Sequence, residues 1–159
     1  MESVVTLSPK DAGELFTLQR AAYVTEAQAH EDLNLPPLVE SLTEVTNELD
    51  KPEVDSFGLR DGAQRLVGAV RVRVLPANAR CAEVGRLVVA PDVQGRGLGS
   101  RLLELVEERV SDDITELKLF TGERSVGNLR LYSRFGYQET HRVPTSSGYA
   151  LVYLNKRLR

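Results

Sequence analysis

Residues 84–103 join an apolar strand pattern to a helical one through Gln94-Gly95-Arg96-Gly97-Leu98-Gly99. Val84, Leu87, Val88 and Val89 supply the apolar run, and Pro91 stops it. Leu103, Val106 and Val110 then lie on one stripe of a helix predicted over Gly99–Val110. A helix N-terminus leaves about four amide N–H groups unpaired and carries partial positive charge. Glycines let a backbone approach a ligand and take positive φ. Strand, glycine turn and helix therefore make an anion site suited to phosphate, with Arg96 and Arg101 adding charge. The spacing narrows the ligand. A P-loop needs a Lys that is absent here. A dinucleotide fingerprint needs a third glycine three residues after Gly97, where Ser100 stands.

The elements around this loop define the fold class. Val4–Leu7 reads as a strand. Ser8-Pro9-Lys10-Asp11 starts a helix that runs into the twenties, and Asp32–Pro37 breaks it. Ser41 and Glu44 form a second capping box. Strands over Ser56–Arg60 and Arg65–Leu75 flank the turn at Asp61-Gly62. In the second, Val70, Val72 and Val74 alternate with Arg71 and Arg73, one face apolar and one wet. Pro76–Arg80 turns into a third strand, Cys81–Ala90. Thr115–Thr121 is a strand, Ser125–Phe135 a helix ended by Gly136, and Tyr137–His141 with Tyr149–Asn155 a closing hairpin. This order predicts one α/β domain over residues 1–159, with a mixed, mostly antiparallel sheet flanked by helices.

Composition excludes other classes. The chain has 159 residues, 42% hydrophobic and 27% charged, ordinary for a globular domain. Its net charge of −3 offers no basic excess for nucleic acid. One cysteine, Cys81, and two histidines argue against an internal disulfide and a structural zinc site. The start, Met1-Glu2-Ser3-Val4-Val5, lacks the pattern of a signal peptide, and no apolar run approaches the ~18 residues of a membrane span. The expected location is cytoplasmic.

Two segments carry a family resemblance. Gln94-Gly95-Arg96-Gly97-Leu98-Gly99 is similar to the acetyl-coenzyme A loop of the GNAT superfamily of N-acetyltransferases, Gln/Arg-x-x-Gly-x-Gly/Ala. Asn128 to Tyr137, with Tyr132 and the Gly136-Tyr137 pair, resembles the family's later helix end. The element order also resembles the family's. The resemblance implies a sheet split between two central parallel strands, here Cys81–Ala90 and Thr115–Thr121, with coenzyme A in the split. It implies backbone contacts to the pantetheine arm at Leu87, Val88 and Val89. It places the pyrophosphate on the amides of Gln94, Gly95, Arg96, Gly97, Leu98, Gly99 and Ser100, and Asn128 beside the arm. Acetyl-CoA would serve as cosubstrate for direct transfer to a primary amine of a small cationic molecule or a peptide. Family members often dimerise, so a homodimer is open; no interface signature stands out.

Amine acetylation needs a base for the amine, donors for the oxyanion and an acid for the thiolate. Tyr132 is the expected acid, since a phenol with pKa near ~10 is protonated at neutral pH. Glu83, 11 residues before Gln94, is the expected base. His30 and His141 are weaker candidates, and Cys81 reads as a small buried hydrophobe rather than a nucleophile. Residues 21–50 contain no Lys or Arg and seven acidic residues, among them Glu26, Glu31 and Asp32. Such a wall would concentrate a cationic acceptor. The alternatives are a non-catalytic acyl-CoA-binding sensor or interaction module, and a glycine-loop nucleotide binder.

Overall fold

The computed structural model describes residues 2–158. One seven-stranded sheet runs through it in the order β1-β2-β3-β4-β5-β7-β6. Its strands are β1 (Ser3–Thr6), β2 (Val54–Arg60), β3 (Leu66–Leu75), β4 (Asn78–Val89), β5 (Glu116–Gly122), β6 (Gln138–Pro144) and β7 (Ala150–Arg157). The helices are α1 (Ala12–His30), α2 (Pro36–Val39), α3 (Leu42–Leu49), α4 (Leu98–Arg109) and α5 (Val126–Arg134). All neighbouring strands are antiparallel except β4 and β5. Among the described residues no helix is long and apolar enough to cross a membrane.

Local chemistry explains the borders. Ser8 and Asp11 form the expected cap, the Ser8 N–H donating to Asp11 Oδ2 at 2.9 Å. The turn Pro9–Asp11 is 3₁₀, and the regular helix starts at Ala12. The Ser41–Glu44 box forms as read, with bonds of 3.0 and 3.1 Å. Pro36 and Pro37 differ from expectation: they do not only break a helix, they begin the short α2, where the missing N–H costs nothing. β4 starts at Asn78, three residues before the predicted strand, because the turn after β3 needs only Pro76 and Ala77. The last strand, β7, slots between β5 and β6, so the closing hairpin enters the sheet through its second strand.

The core lies on both sheet faces. On one, Leu102 of α4 packs against Gly68 of β3. On the other, α1 and α3 cover Ala69 and Arg71, with Leu15, Val45 and Leu49 in the layer. Leu102, Leu103, Leu105 and Val106 are fully buried, so α4 is clamped to the sheet along one stripe. Leu102→Ala should therefore destabilise the protein by about 2–5 kcal/mol, read as a lower midpoint in urea unfolding with little change in slope.

Candidate active site

β4 and β5 pair only through Cys81–Glu116, Ala82–Leu117 and Glu83–Lys118. Beyond Glu83 they part, so Leu87, Val88 and Val89 have no ladder partner on the β5 side. The Gln94 side chain reaches back and donates to the Val89 carbonyl at 3.3 Å. Gly95 and Gly97 have φ of +79° and +81°, and a Cβ at either would meet no neighbour. Their glycines are thus required by conformation, not by crowding. The first hydrogen bond into α4 runs from Arg101 N–H to the Gly97 carbonyl. The amides of Leu98, Gly99 and Ser100 precede it and are free to take an anion.

A cavity of about 660 Å³ opens from this split. All the residues assigned above to the coenzyme line it except Arg96, which is exposed outside it. Asn128 reaches it from the first turn of α5. Leu131 of α5 packs toward Gly99, which holds the two helices side by side. A long, phosphate-bearing thioester fits this lining: anion donors at one end, apolar strand backbone along the middle.

A second cavity, about 520 Å³, lies between the C-terminal half of α1, the loop 32–37, the split strands and the tip of the β6–β7 hairpin. Tyr23, Glu26, Leu87 and Asn128 line both cavities, so the two meet there. The Glu26 carboxylate accepts a hydrogen bond from the Ser125 hydroxyl. Tyr132 is buried and lines the second cavity; no hydrogen bond among the described residues engages its hydroxyl. Burial pushes the Tyr132 phenol far above its ordinary pKa, and the Tyr23 phenol upward too.

The histidines and the cysteine have structural partners. Nε2 of His30 is 3.0 Å from the backbone N–H of Arg124, a group that only donates. Nε2 therefore accepts, and Nδ1 donates to the Glu26 carbonyl at 2.9 Å. His30 is a neutral wedge with both nitrogens engaged. His141 is exposed and stacks on Tyr153. Cys81 is buried with its thiol 3.3 Å from Glu116, and burial raises its pKa, so it carries little thiolate.

Glu83 does not reach either lining. Its carboxylate sits 2.8 Å from Arg73 and 3.8 Å from Arg71, on the sheet face behind the second cavity. Of the acidic stretch, Glu26 and Asp32 face that cavity. Glu31 is the left-handed C-cap of α1, Glu44 caps α3, and Glu40 and Glu48 pair with arginines. Tyr23, Arg71, Arg86 and Tyr149 are site residues that the sequence reading passed over. Arg71 stands out only as the wet face of β3, and Tyr149 only as a strand start. Tyr149 donates to Asp32 at 2.6 Å, tying the hairpin to the loop after α1.

Fold and site together define an acyltransferase architecture. The chain belongs to the GNAT acetyltransferase family: the model of the Acetyltransferase (GNAT) family matches residues 15–137. S-(2-succino)cysteine N-acetyltransferase of Bacillus subtilis is 25% identical over 164 residues, covering 94% of this chain and 92% of that protein. UPF0157 protein YqkA of the same organism is 25% identical over 140 residues, 88% of this chain; the chain spans only 38% of its length. Among solved structures, the ribosomal-protein-S18-alanine N-acetyltransferase of Escherichia coli superposes with a TM-score of 0.80 at 18% identity, covering 99% of this chain and 94% of that one. A probable acetyltransferase from Staphylococcus epidermidis gives 0.82 at 12% identity over the full length of both. These superpositions show the shared fold.

Tyr23, Tyr132, Tyr137 and Tyr149 of the five tyrosines are all raised above the ordinary phenol value near 10, mainly by burial, Tyr149 to about 12. A raised folded-state pKa favours the protonated form. The associated stability is complete below pH 10 and falls as pH rises through 12. In a spectrophotometric titration most of the phenolate absorbance should therefore appear well above pH ~10, together with unfolding. Full phenolate signal from a folded protein at that pH would contradict the burial.

Proposed function

We propose that the protein transfers the acetyl group of acetyl-CoA directly to a primary amine. The observation that carries this reading is the junction of the two cavities at Tyr23, Glu26, Leu87 and Asn128. A passive binder of acyl-CoA has no use for a second chamber, with charged groups in its lining, opening at that point. The N-acetyltransferase name of the Bacillus subtilis relative supports nitrogen as the acceptor.

Acetyl-CoA would supply an activated thioester. The amides of Leu98, Gly99 and Ser100, with the loop from Gln94, hold its pyrophosphate. Leu87–Val89 and Asn128 hold its pantetheine arm. At the junction, the Glu26 carboxylate takes the proton of the acceptor ammonium. The Ser125 hydroxyl donates to that carboxylate and keeps it oriented. Tyr132 keeps its proton on Oη at neutral pH and donates it as thiolate charge develops at the leaving sulfur. Glu83 is then a positioning residue: it holds Arg71 and Arg73 on the sheet face rather than taking the proton itself.

Thermal unfolding with acetyl-CoA, coenzyme A and ATP side by side tests the ligand. A ligand at ~100 times its Kd adds ~2.7 kcal/mol, a rise of roughly 5–10 °C for a chain of this size. A rise with both coenzyme A species and none with ATP is expected; no rise with coenzyme A would overturn the assignment. Binding of acetyl-CoA with no thiol release for any amine would favour the sensor.

Two substitutions test the roles. Tyr132→Phe should lower kcat about 100-fold or more with far less effect on the KM for acetyl-CoA. Glu26→Gln should lower kcat/KM for the amine by a similar ~100-fold at neutral pH. That loss should shrink at alkaline pH, where the amine loses its proton unaided. Unchanged kcat in the first, or a pH-independent loss in the second, removes that residue from its role.

A further inference from the structure

Two guanidinium groups in the lining of the second cavity have more donors than hydrogen-bond partners. β3 and β4 pair Ala69 with Val88 but Arg71 with Gly85, so Arg86 and Leu87 together face Val70. This is a β-bulge, and Arg86 is its kinked residue at φ +52°. Bulges re-aim side chains, and a non-glycine residue in the left-handed region is disfavoured unless its surroundings hold it there. Here the kink carries an arginine into the cavity lining. Beside it, a Cβ on Gly85 would come within 3.0 Å of Arg71 Nη2, so the glycine leaves room for that guanidinium to lie across β4.

Donor accounting shows the deficit. A guanidinium has five N–H donors. Among the described residues, Arg86 makes no side-chain hydrogen bond; its nearest carboxylate, Glu40, is 3.6 Å away. Arg71 makes one long bond, Nη1 to Glu48 at 3.4 Å, with Glu83 at 3.8 Å. The Nε atoms of both are buried without a partner. Burial and the neighbouring Arg86 charge push the Arg71 guanidinium below its ordinary pKa. Arg20, whose guanidinium donates to the Glu40 backbone carbonyl, completes the cluster. Arg20, Arg71, Arg73, Arg86 and Lys51 outnumber Glu40, Glu48 and Glu83, so the cluster keeps positive charge over. A carboxylate offsets it, and the planar fork of arginine matches that shape.

The same cavity presents Glu26 and Asp32. It thus offers negative charge for an ammonium and positive charge for an acid within about 520 Å³, a volume suited to a small molecule. A polyamine would set positive charge against Arg71 and Arg86. We infer that the acceptor is a small amine that also bears a carboxylate, with Arg71 and Arg86 holding the carboxylate while the amine sits at Glu26. This narrows the cationic acceptor expected from the acidic stretch, and it rests on the cavity being the acceptor site of an N-acetyltransferase.

Acetylation rates for a panel of α- and ω-amino acids, each paired with its carboxamide, test the inference, with spermidine as a third arm. Thiol release would be measured at saturating acetyl-CoA. The free acid of at least one pair should exceed its amide at least tenfold in kcat/KM. Arg86→Gln should erase that preference by raising KM for the acid far more than for the amide, and Arg86→Lys should restore part of it. Equal or faster amides throughout, or spermidine as the best substrate, would overturn the inference.

Thermal unfolding of the coenzyme A-loaded protein with N-acetylamino acids and their amides reads the same site without turnover. Stabilisation by an acid, absent with its amide and lost in Arg86→Gln, upholds the carboxylate site even if no amine is acetylated, in which case acetyl transfer falls and the anion site stands. Acids that stabilise no more than their amides would overturn the site even in an active enzyme.

Discussion

The parting of β4 and β5 organises everything else in this molecule. Three residue pairs join them, and then the strands diverge with their polar backbone edges facing each other across a gap. Buried backbone groups without partners are costly, so such a gap persists only where something else meets them. One end of the gap holds the start of α4, whose first amides are likewise unpaired. Leu131 of α5 lies against that start at Gly99, and the second chamber meets the gap at Leu87 and Asn128. β7 keeps β5 in the sheet from the far side through seven residue pairs, so the divergence does not unravel the fold. The site is therefore a fault in a sheet, stabilised at its borders.

Charge on the α1–α3 face follows from the same geometry. A sheet face covered by helices is normally apolar, yet β3 and β4 place Arg71, Arg73 and Glu83 there. Glu40 and Glu48 come down from the α2–α3 segment to meet them. Ion pairs removed from water stabilise weakly unless every donor is matched. An apolar layer of the same volume would serve folding as well or better. The retention of this cluster next to the chamber, with donors unmatched, points to recognition rather than to stability.

Much of this was legible in the sequence, and the exceptions have physical causes. The glycine loop announced itself because positive φ and close approach demand particular residues at fixed spacing. The caps at Ser8 and Ser41 did so for the same reason. The residues that the resemblance singled out line one cavity, apart from Arg96, which is exposed outside it. Tyr132 stands in a recognisable helix pattern. The proposed base has no such mark, since Glu83 and Glu26 are both ordinary carboxylates in sequence. Which one faces the chamber depends on strand alternation and on where the C-terminal half of α1 ends up. Arg86 was hidden by a one-residue bulge, which shifts the inward and outward sides of β4 and whose positive-φ residue is not a glycine. The Tyr149–Asp32 contact joins residues more than a hundred positions apart and has no local trace.

The outermost strand, β6, gives the chamber an uneven frame. All seven of its residues are exposed, and it is bonded on one side only, to β7. The tip between them nevertheless forms part of the chamber roof, fastened to the α1 end through Tyr149 and Asp32. The floor, by contrast, is made by β3, β4 and β5 from the middle of the sheet. Amide protons of β6 and its tip thus belong to the fast-exchanging fringe of the molecule, while those beneath the chamber exchange only when the whole protein opens. A guest can be admitted by fraying one edge, with the glycine loop left undisturbed.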